Sequence, residues 1–393
     1  MTRFGRRPDS TSFPSGHSAS ASAFAVAAGL EVPQLSAPLG LAAAAVGWSR
    51  VRTRVHYPGD VVAGLAAGAA IAYATTKWWP LRPDEPASVR PVRTRVPRAD
   101  TDGAGLTVVV NPSAGSARGG DVVDALQAEL SAATFVVLDE GDDLVDVLDK
   151  AVTSAAIGIV GGDGSINAAA AVALRAGKSL AVFPGGTLNH FARDLGLGAV
   201  DDTVDAIRAA SLGLVDVGMI DGKPFLNTAS FGSYAALVDL RERHEERFGK
   251  WPAMAYALVQ ILRRAKPIDV TINGIRRSIW LIFIGNSEYG PAGLAPSRRE
   301  HLDDGLFDVR FVEDIGPYSR LRLILAVLTG QLLRTDTYQR ELVSSLSVDS
   351  HSGPLRMARD GETFDGAASF SVEKCPTRLA VYVPVVEPAE DSG

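Results

Sequence analysis

The segment Ser49-Arg50-Val51-Arg52-Thr53-Arg54-Val55-His56-Tyr57-Pro58-Gly59-Asp60 reads S-R-x5-H-x3-D, and Arg7-Pro8 and Pro14-Ser15-Gly16-His17 stand upstream of it. Two histidines, two arginines and a carboxylate at these spacings suit cleavage of a phosphate ester. One histidine attacks phosphorus while a carboxylate orients it, a second histidine protonates the leaving oxygen, and arginines hold the phosphoryl oxygens. A second constellation suits the opposite reaction. Gly161-Gly162-Asp163-Gly164-Ser165 brings backbone amides close to phosphates, and Asp163 is placed to hold a magnesium ion or its water. Around it in sequence order come Asn111-Pro112-Ser113-Ala114-Gly115, Pro184-Gly185-Gly186-Thr187-Leu188-Asn189-His190, Gly285-Asn286-Ser287, Asp303-Asp304-Gly305-Leu306 and Asp360-Gly361-Glu362.

The elements that must position these residues differ between the two halves. The cleavage motifs lie between apolar segments at roughly Ser18–Val32, Leu35–Trp48 and Val61–Trp79, rich in Ala, Gly, Val and Leu. These segments read as membrane helices, with the small residues that close helix contacts in a bilayer use. A Pro/Arg-rich linker follows, with Pro80, Pro83, Pro86, Pro91 and Pro97 interleaved with arginines. Short β-runs then alternate with helical stretches. Strands are expected at Leu106–Val110, Thr134–Leu138, Ala156–Val160 and Leu180–Phe183, the last two ending in the glycine turns. That alternation predicts a parallel sheet with ligands at the carboxyl ends of its strands. From about Asp216 the pattern predicts an antiparallel β lobe. Its strands would be Ile268–Ile275, Ser278–Gly285, Leu306–Val312, Phe370–Val372 and Leu379–Val385, with one helical interruption over Tyr318–Arg334.

The expected chain is therefore multidomain. An α-helical membrane segment (1–79) and a linker (80–104) precede an α/β nucleotide-binding lobe (105–216) and a mainly antiparallel β lobe (217–386). At 393 residues the length agrees with two or three domains. A formal net charge of −6 implies no broad nucleic-acid patch. The single cysteine, Cys375, excludes an internal disulfide framework and a cysteine-based zinc site. Met1 to Arg7 is basic, but the polar stretch after it breaks the order of a signal peptide.

The combination of R-P, P-S-G-H and S-R-x5-H-x3-D resembles the type 2 phosphatidic acid phosphatase family over about residues 3–78. The resemblance implies His56 as nucleophile, Asp60 as its orienting partner and His17 as acid to the leaving group. Arg7 and Arg50, with the Ser15–Gly16 backbone, would bind phosphate. The family's first motif is K-x6-R-P, and counting back from Arg7 places its lysine one position before Met1. Either the start codon lies upstream or this half is a remnant that serves as an anchor.

The ordered set around Gly161–Ser165 resembles the diacylglycerol kinase catalytic family, in its bacterial lipid kinase branch, over about residues 104–386. By that resemblance Asn111, Gly161, Gly162, Asp163, Gly164, Ser165, Thr187 and Asn189 would bind ATP. Asp163 and Asp304 would serve magnesium, and Asp360 or Glu362 would take the proton from a lipid hydroxyl. Ser165 replaces the commoner threonine and keeps its hydroxyl, while His190 stands where aspartate is frequent. Phe225–Tyr234, Trp251–Leu262 and Leu321–Leu333 could line a lipid cleft, and Arg263, Arg264 and Lys266 could touch anionic headgroups. His244 and His351 have no partners by spacing.

Together these expectations describe an ATP- and magnesium-dependent kinase acting on a membrane lipid, with diacylglycerol as the default substrate. ATP places the kinase in the cytoplasm, so the phosphatase motifs would face outside the cell membrane. The arginine-rich linker after the third segment agrees with this topology. Oligomerisation stays open. One alternative is a lipid phosphate phosphatase with a regulatory nucleotide-binding domain. The others are a non-catalytic membrane scaffold and a soluble nucleotide-cofactor kinase.

Overall fold

The computed structural model describes residues 13–78, 86–93, 95–113, 119–233, 240, 266–290, 292, 298–328 and 331–385. Arg7, His244, Trp251–Leu262, Arg263 and Arg264 lie outside the described residues. The chain divides into two compact units, Met1–Pro83 and Asp84–Gly393.

The first unit holds three helices, α1 (Gly16–Glu31), α2 (Ser36–Arg52) and α3 (Pro58–Trp78). Glycines set the crossing of α1 and α3. A β-carbon at Gly64 would stand 2.5 Å from the Ser15 carbonyl oxygen, and one at Gly68 2.1 Å from that of Ala19. Only glycine lets the two backbones approach that closely, and Ser22 then donates its hydroxyl to the Leu65 carbonyl across the contact at 2.8 Å.

The expectation of membrane-spanning helices is not sustained. No described helix is long and apolar enough to cross a membrane. At about 1.5 Å per residue, the 16 residues of α1 and 17 of α2 fall short of a hydrocarbon core of about 30 Å. The 21 residues of α3 reach far enough, but Gly, Ala and Thr dilute their apolar character.

The second unit is built on two sheets. Strands β1 (Arg90–Pro91), β2 (Leu106–Val110), β3 (Thr134–Val137), β4 (Ala156–Gly161), β5 (Ser179–Pro184) and β6 (Leu212–Val215) belong to the first. Its order is β1, β6, the C-terminal strand Leu379–Tyr382, β5, β4, β2, β3. β2, β3, β4 and β5 run parallel, as the alternation of strands and helices predicts. Helices cover both faces, with α5 (Leu144–Ala151), α6 (Asp163–Ala176) and α7 (His190–Asp194) on one side. α4 (Gly119–Glu129) and α8 (Val200–Arg208) cover the other.

Two features differ from the sequence reading. The strand Leu379–Tyr382 was expected in the second lobe but lies in the first sheet, parallel to β5 and antiparallel to β6. All four of its residues are buried, so it carries no alternation to declare which sheet it joins. The Pro/Arg-rich stretch also supplies an edge strand, because Arg90 pairs with Leu214 and Pro91 with Gly213. Proline is tolerated at such an edge, where a missing N–H disrupts no central ladder.

The second sheet has eleven strands, antiparallel throughout. Its central strand, Ile275–Asn286, pairs with both Thr228–Gly232 and Phe307–Glu313. The hairpin of Arg356–Arg359 and Glu362–Asp365 forms one edge. Phe225, Phe231, Phe307 and Phe311 fill its core. The helical interruption is present as Ser319–Leu328 and a short turn at Leu332–Arg334.

Candidate active sites

In the first unit the P-S-G-H turn is tied to the start of α3. The Ser15 amide donates to the Asp60 carbonyl at 2.9 Å, and Ser18 donates its hydroxyl to that of Ser15 at 3.0 Å. His56 and Arg50 are brought together by the backbone, the His56 amide reaching the Arg50 carbonyl at 3.3 Å. The Asp60 carboxylate accepts the Tyr57 amide at 3.0 Å and stands 3.7 Å from His56 Nδ1, within ion-pair range but beyond hydrogen-bond length. His56 Nδ1 and Arg50 Nε are buried without a partner. Buried polar groups left unmade are costly, so two at one loop call for an outside partner, and an anion would suit the arginine. His17 stands exposed on the first turn of α1.

In the second unit two glycine turns lie against each other at the ends of β4 and β5. The Gly185 amide donates to the Gly161 carbonyl at 3.0 Å. A β-carbon at Gly186 would stand only 2.6 Å from the Gly162 α-carbon. Gly162 precedes the first turn of α6, whose free amides and dipole favour an anion. Asn111 Nδ2 donates to the Ser165 hydroxyl at 2.9 Å and its Oδ1 accepts the Ser113 amide at 3.0 Å, so Asn111 braces both sides of the loop. Asn189 is braced inward as well. It adopts a left-handed conformation, accepts the Gly186 amide at 2.9 Å and donates to the Gly186 carbonyl at 2.7 Å. Asn111 and Asn189 thus shape the turns with their side chains, while Thr187 is exposed. The Asp163 Oδ1 oxygen is buried with no partner.

The hairpin Asp360-Gly361-Glu362 separates the two candidate proton acceptors. Both oxygens of Asp360 are taken by backbone amides: Oδ2 by Leu226 at 2.7 Å, Oδ1 by Asn227 at 2.8 Å and Thr228 at 2.9 Å. Burial pushes its carboxyl above the usual range, and the three amides and Arg299 pull against that shift. Glu362 is exposed, and its Oε1 lies 3.2 Å from where a β-carbon on Gly164 would stand. Its carboxylate therefore faces the glycine loop from the second sheet.

Asp304 is occupied differently from the expectation. Its oxygens accept the Glu288 and Leu306 amides, both at 2.9 Å. Beside it, Asp216 accepts Arg378 Nε and the Gly305 amide, each at 2.7 Å, and Lys374 Nζ donates to Asn286 Oδ1 at 2.6 Å. Burial depresses the Lys374 ammonium to about 8, although Asp216 and Asp304 oppose it. Among the described residues no group of three His, Cys, Asp or Glu side chains gathers as a metal site. The orphaned Asp163 oxygen beside the α6 amides fits nucleotide phosphates with an accompanying divalent cation. Asp304 accepts one amide on each oxygen, and its charge acts on Lys374.

Sequence reasoning missed Asp216, Asn227, Arg299 and Lys374. Only Arg299, four residues before Asp303-Asp304-Gly305, stands near a recognised motif.

Two glycine turns on adjacent parallel strands are faced by an exposed carboxylate from an antiparallel β domain, an arrangement that phosphoryl transfer could use. The helical unit before it carries a histidine–aspartate pair of phosphatase type. The PAP2 superfamily matches residues 2–84, the diacylglycerol kinase catalytic domain residues 105–220, and the YegS C-terminal NAD kinase beta sandwich-like domain residues 229–383. The chain therefore joins a PAP2 segment to a diacylglycerol kinase catalytic domain and its YegS-type β domain. It is 28% identical to a diacylglycerol kinase of Bacillus subtilis over 184 residues, which cover 44% of this chain and 59% of that protein. It is 44% identical to a lipid A 1-phosphatase of Rhizobium johnstonii over 64 residues, 16% of this chain and 26% of that protein. The fold is shared with a diacylglycerol kinase structure from Bacillus anthracis (TM-score 0.52, 18% identity), which covers 76% of this chain and 99% of that one.

Proposed function

We propose that the second unit transfers the terminal phosphoryl group of ATP to a lipid hydroxyl, with diacylglycerol as the first substrate to test. The observation that carries this reading is Glu362, a free carboxylate held against Gly164 in the glycine loop. The loop amides and the α6 N-terminus would hold the phosphates, and the Asp163 oxygen would face them. Magnesium bound with the nucleotide would neutralise charge on the phosphate oxygens. Glu362 would accept the hydroxyl proton as the oxygen attacks phosphorus. Asp360, its oxygens already engaged, would position rather than react. The lipid acceptor rests on the names of the relatives. ATP as donor places this unit on the cytoplasmic side, at a membrane surface where its acceptor resides.

A second reading concerns the first unit: metal-free hydrolysis of a lipid phosphate. The His56–Asp60 pair and the buried Arg50 Nε, which has no hydrogen-bond partner, favour it. One experiment addresses both. The purified chain is incubated with labelled ATP, magnesium and detergent-dispersed lipids, and separately with phosphatidate in chelator. Lipid phosphate formed by wild type and lost in Asp163→Ala supports the kinase; none across the lipid panel sinks it. Phosphate released in chelator and lost in His56→Ala supports the second reading; no release, or release unchanged in His56→Ala, refutes it.

A further inference from the structure

Arg299 is 3% exposed and makes four hydrogen bonds beside its ion pair with Asp194. Nε and Nη2 reach Asp194 Oδ2 at 2.8 and 2.7 Å. Nη1 donates to the Leu226 carbonyl at 2.7 Å and the Asn286 carbonyl at 3.1 Å, and Nη2 also donates to Asn227 Oδ1 at 2.7 Å. The guanidinium thus joins the last residue of α7, which follows the second glycine turn, to the segment Leu226–Thr228. That segment is gripped from its other side by Asp360, which takes its three amides, while the Asp360 amide donates to the Thr228 carbonyl at 2.8 Å. Two residues beyond Asp360 stands Glu362. A continuous set of directed bonds therefore runs from α7 through Arg299 and Leu226–Thr228 to the hairpin that faces Gly164.

We propose that Arg299 is the positioning residue for Glu362, locking the hairpin at the distance from the glycine loop that proton transfer requires. Burying a guanidinium with a carboxylate adds little net stability. What four directed hydrogen bonds supply is geometry, since a planar fork fixes both distance and angle. Lysine keeps the charge but not the fork. The inference rests on Glu362 as proton acceptor, and its test separates the two.

In Arg299→Lys, ATP affinity stays within about twofold of wild type while kcat falls about 10- to 100-fold, because the loss falls on the transition state. Combined with Glu362→Gln, the loss stays near that of Glu362→Gln alone, since the two act as a unit. Amide exchange at Leu226, Asn227, Thr228 and the Gly361–Glu362 hairpin quickens about tenfold or more, while Gly161–Ser165 is unchanged. Wild-type kcat in Arg299→Lys, or losses that multiply in the double variant, would overturn the proposal. If wild type transfers no phosphate to any lipid, Glu362 loses its assigned role, and exchange still decides the positioning claim. Unchanged protection of the hairpin in Arg299→Lys then refutes it.

Discussion

Gly186→Ala probes the packing of the two glycine turns directly. Its added β-carbon would stand 2.6 Å from the Gly162 α-carbon and 2.9 Å from Asn189 Oδ1, where ordinary contact is 3.4–4 Å. The first neighbour is backbone and cannot rotate away, so the turns must separate by roughly 1 Å. Overpacking of this kind costs about 1–3 kcal/mol. Losing the Gly186 amide bond to Asn189 adds about 1 kcal/mol. A total of roughly 2–4 kcal/mol lowers the melting temperature by several degrees in a domain of this size. The functional effect is larger, because a displacement of about 1 Å in a group that positions phosphate costs about 100-fold in kcat/KM. Thermal melting and ATP titration on the full chain measure both. Gly198→Ala is the control, since its nearest atom would be Asp202 Oδ2 at 3.7 Å. Gly186→Ala with wild-type melting temperature and ATP affinity would show that the turns part freely, and the close approach would then have no role in holding phosphate.

The remaining predictions divide the acidic and basic groups around the second sheet. Glu362→Gln keeps the fold and lowers kcat by about 100- to 10,000-fold. Asp360→Asn turns an amide toward three backbone donors and destabilises by about 2–4 kcal/mol. Melting curves beside steady-state rates separate the two, and the reverse pattern would exchange their roles. Lys374 titrates at about 8 in the folded protein against 10.5 unfolded, so between those values the unfolded chain binds more protons and stability rises with pH. That contribution is complete above the unfolded value and is lost as pH falls through the folded one. It is worth up to roughly 3 kcal/mol. Denaturant curves for wild type and Lys374→Met at pH 7 and 9.5 should show wild type gaining on the variant, and a constant difference would place the ammonium in a solvated setting.

What was legible in the sequence was local. A glycine turn after an apolar run declares its own geometry, so β4 with Gly161–Ser165 and β5 with Pro184–Thr187 stand where their residues imply. The antiparallel lobe was legible from its β-runs. What was hidden depends on distant partners. Asp360 and Glu362 are indistinguishable as two carboxylates in one tripeptide, and only the amides of Leu226–Thr228, far away in sequence, occupy one and leave the other free. Nothing in the sequence near Asp304 announces Lys374, whose ammonium its charge acts on. The three N-terminal helices read as spanning because apolar content was visible and its dilution by small residues carried less weight than the motifs between them.

That dilution connects the two units chemically. Small residues in the first unit bring α1 against α3, so that the Ser15 amide can reach the Asp60 carbonyl and hold the two histidine motifs in one place. Glycines in the second unit bring Gly161–Gly162 against Gly185–Gly186, with the Gly185 amide on the Gly161 carbonyl. The same absence of a β-carbon serves backbone-to-backbone contact in both, but the chemistry follows from what is left unpaired. In the first unit Arg50 Nε is buried with no hydrogen-bond partner near the His56–Asp60 pair, and an anion would suit that guanidinium. At the glycine turns of the second unit the buried group with no hydrogen-bond partner is an oxygen, Asp163 Oδ1, and Glu362 stands exposed across from Gly164. The two candidate sites would therefore take opposite charge, an anion at Arg50 and a cation or proton at the carboxylates of Asp163 and Glu362.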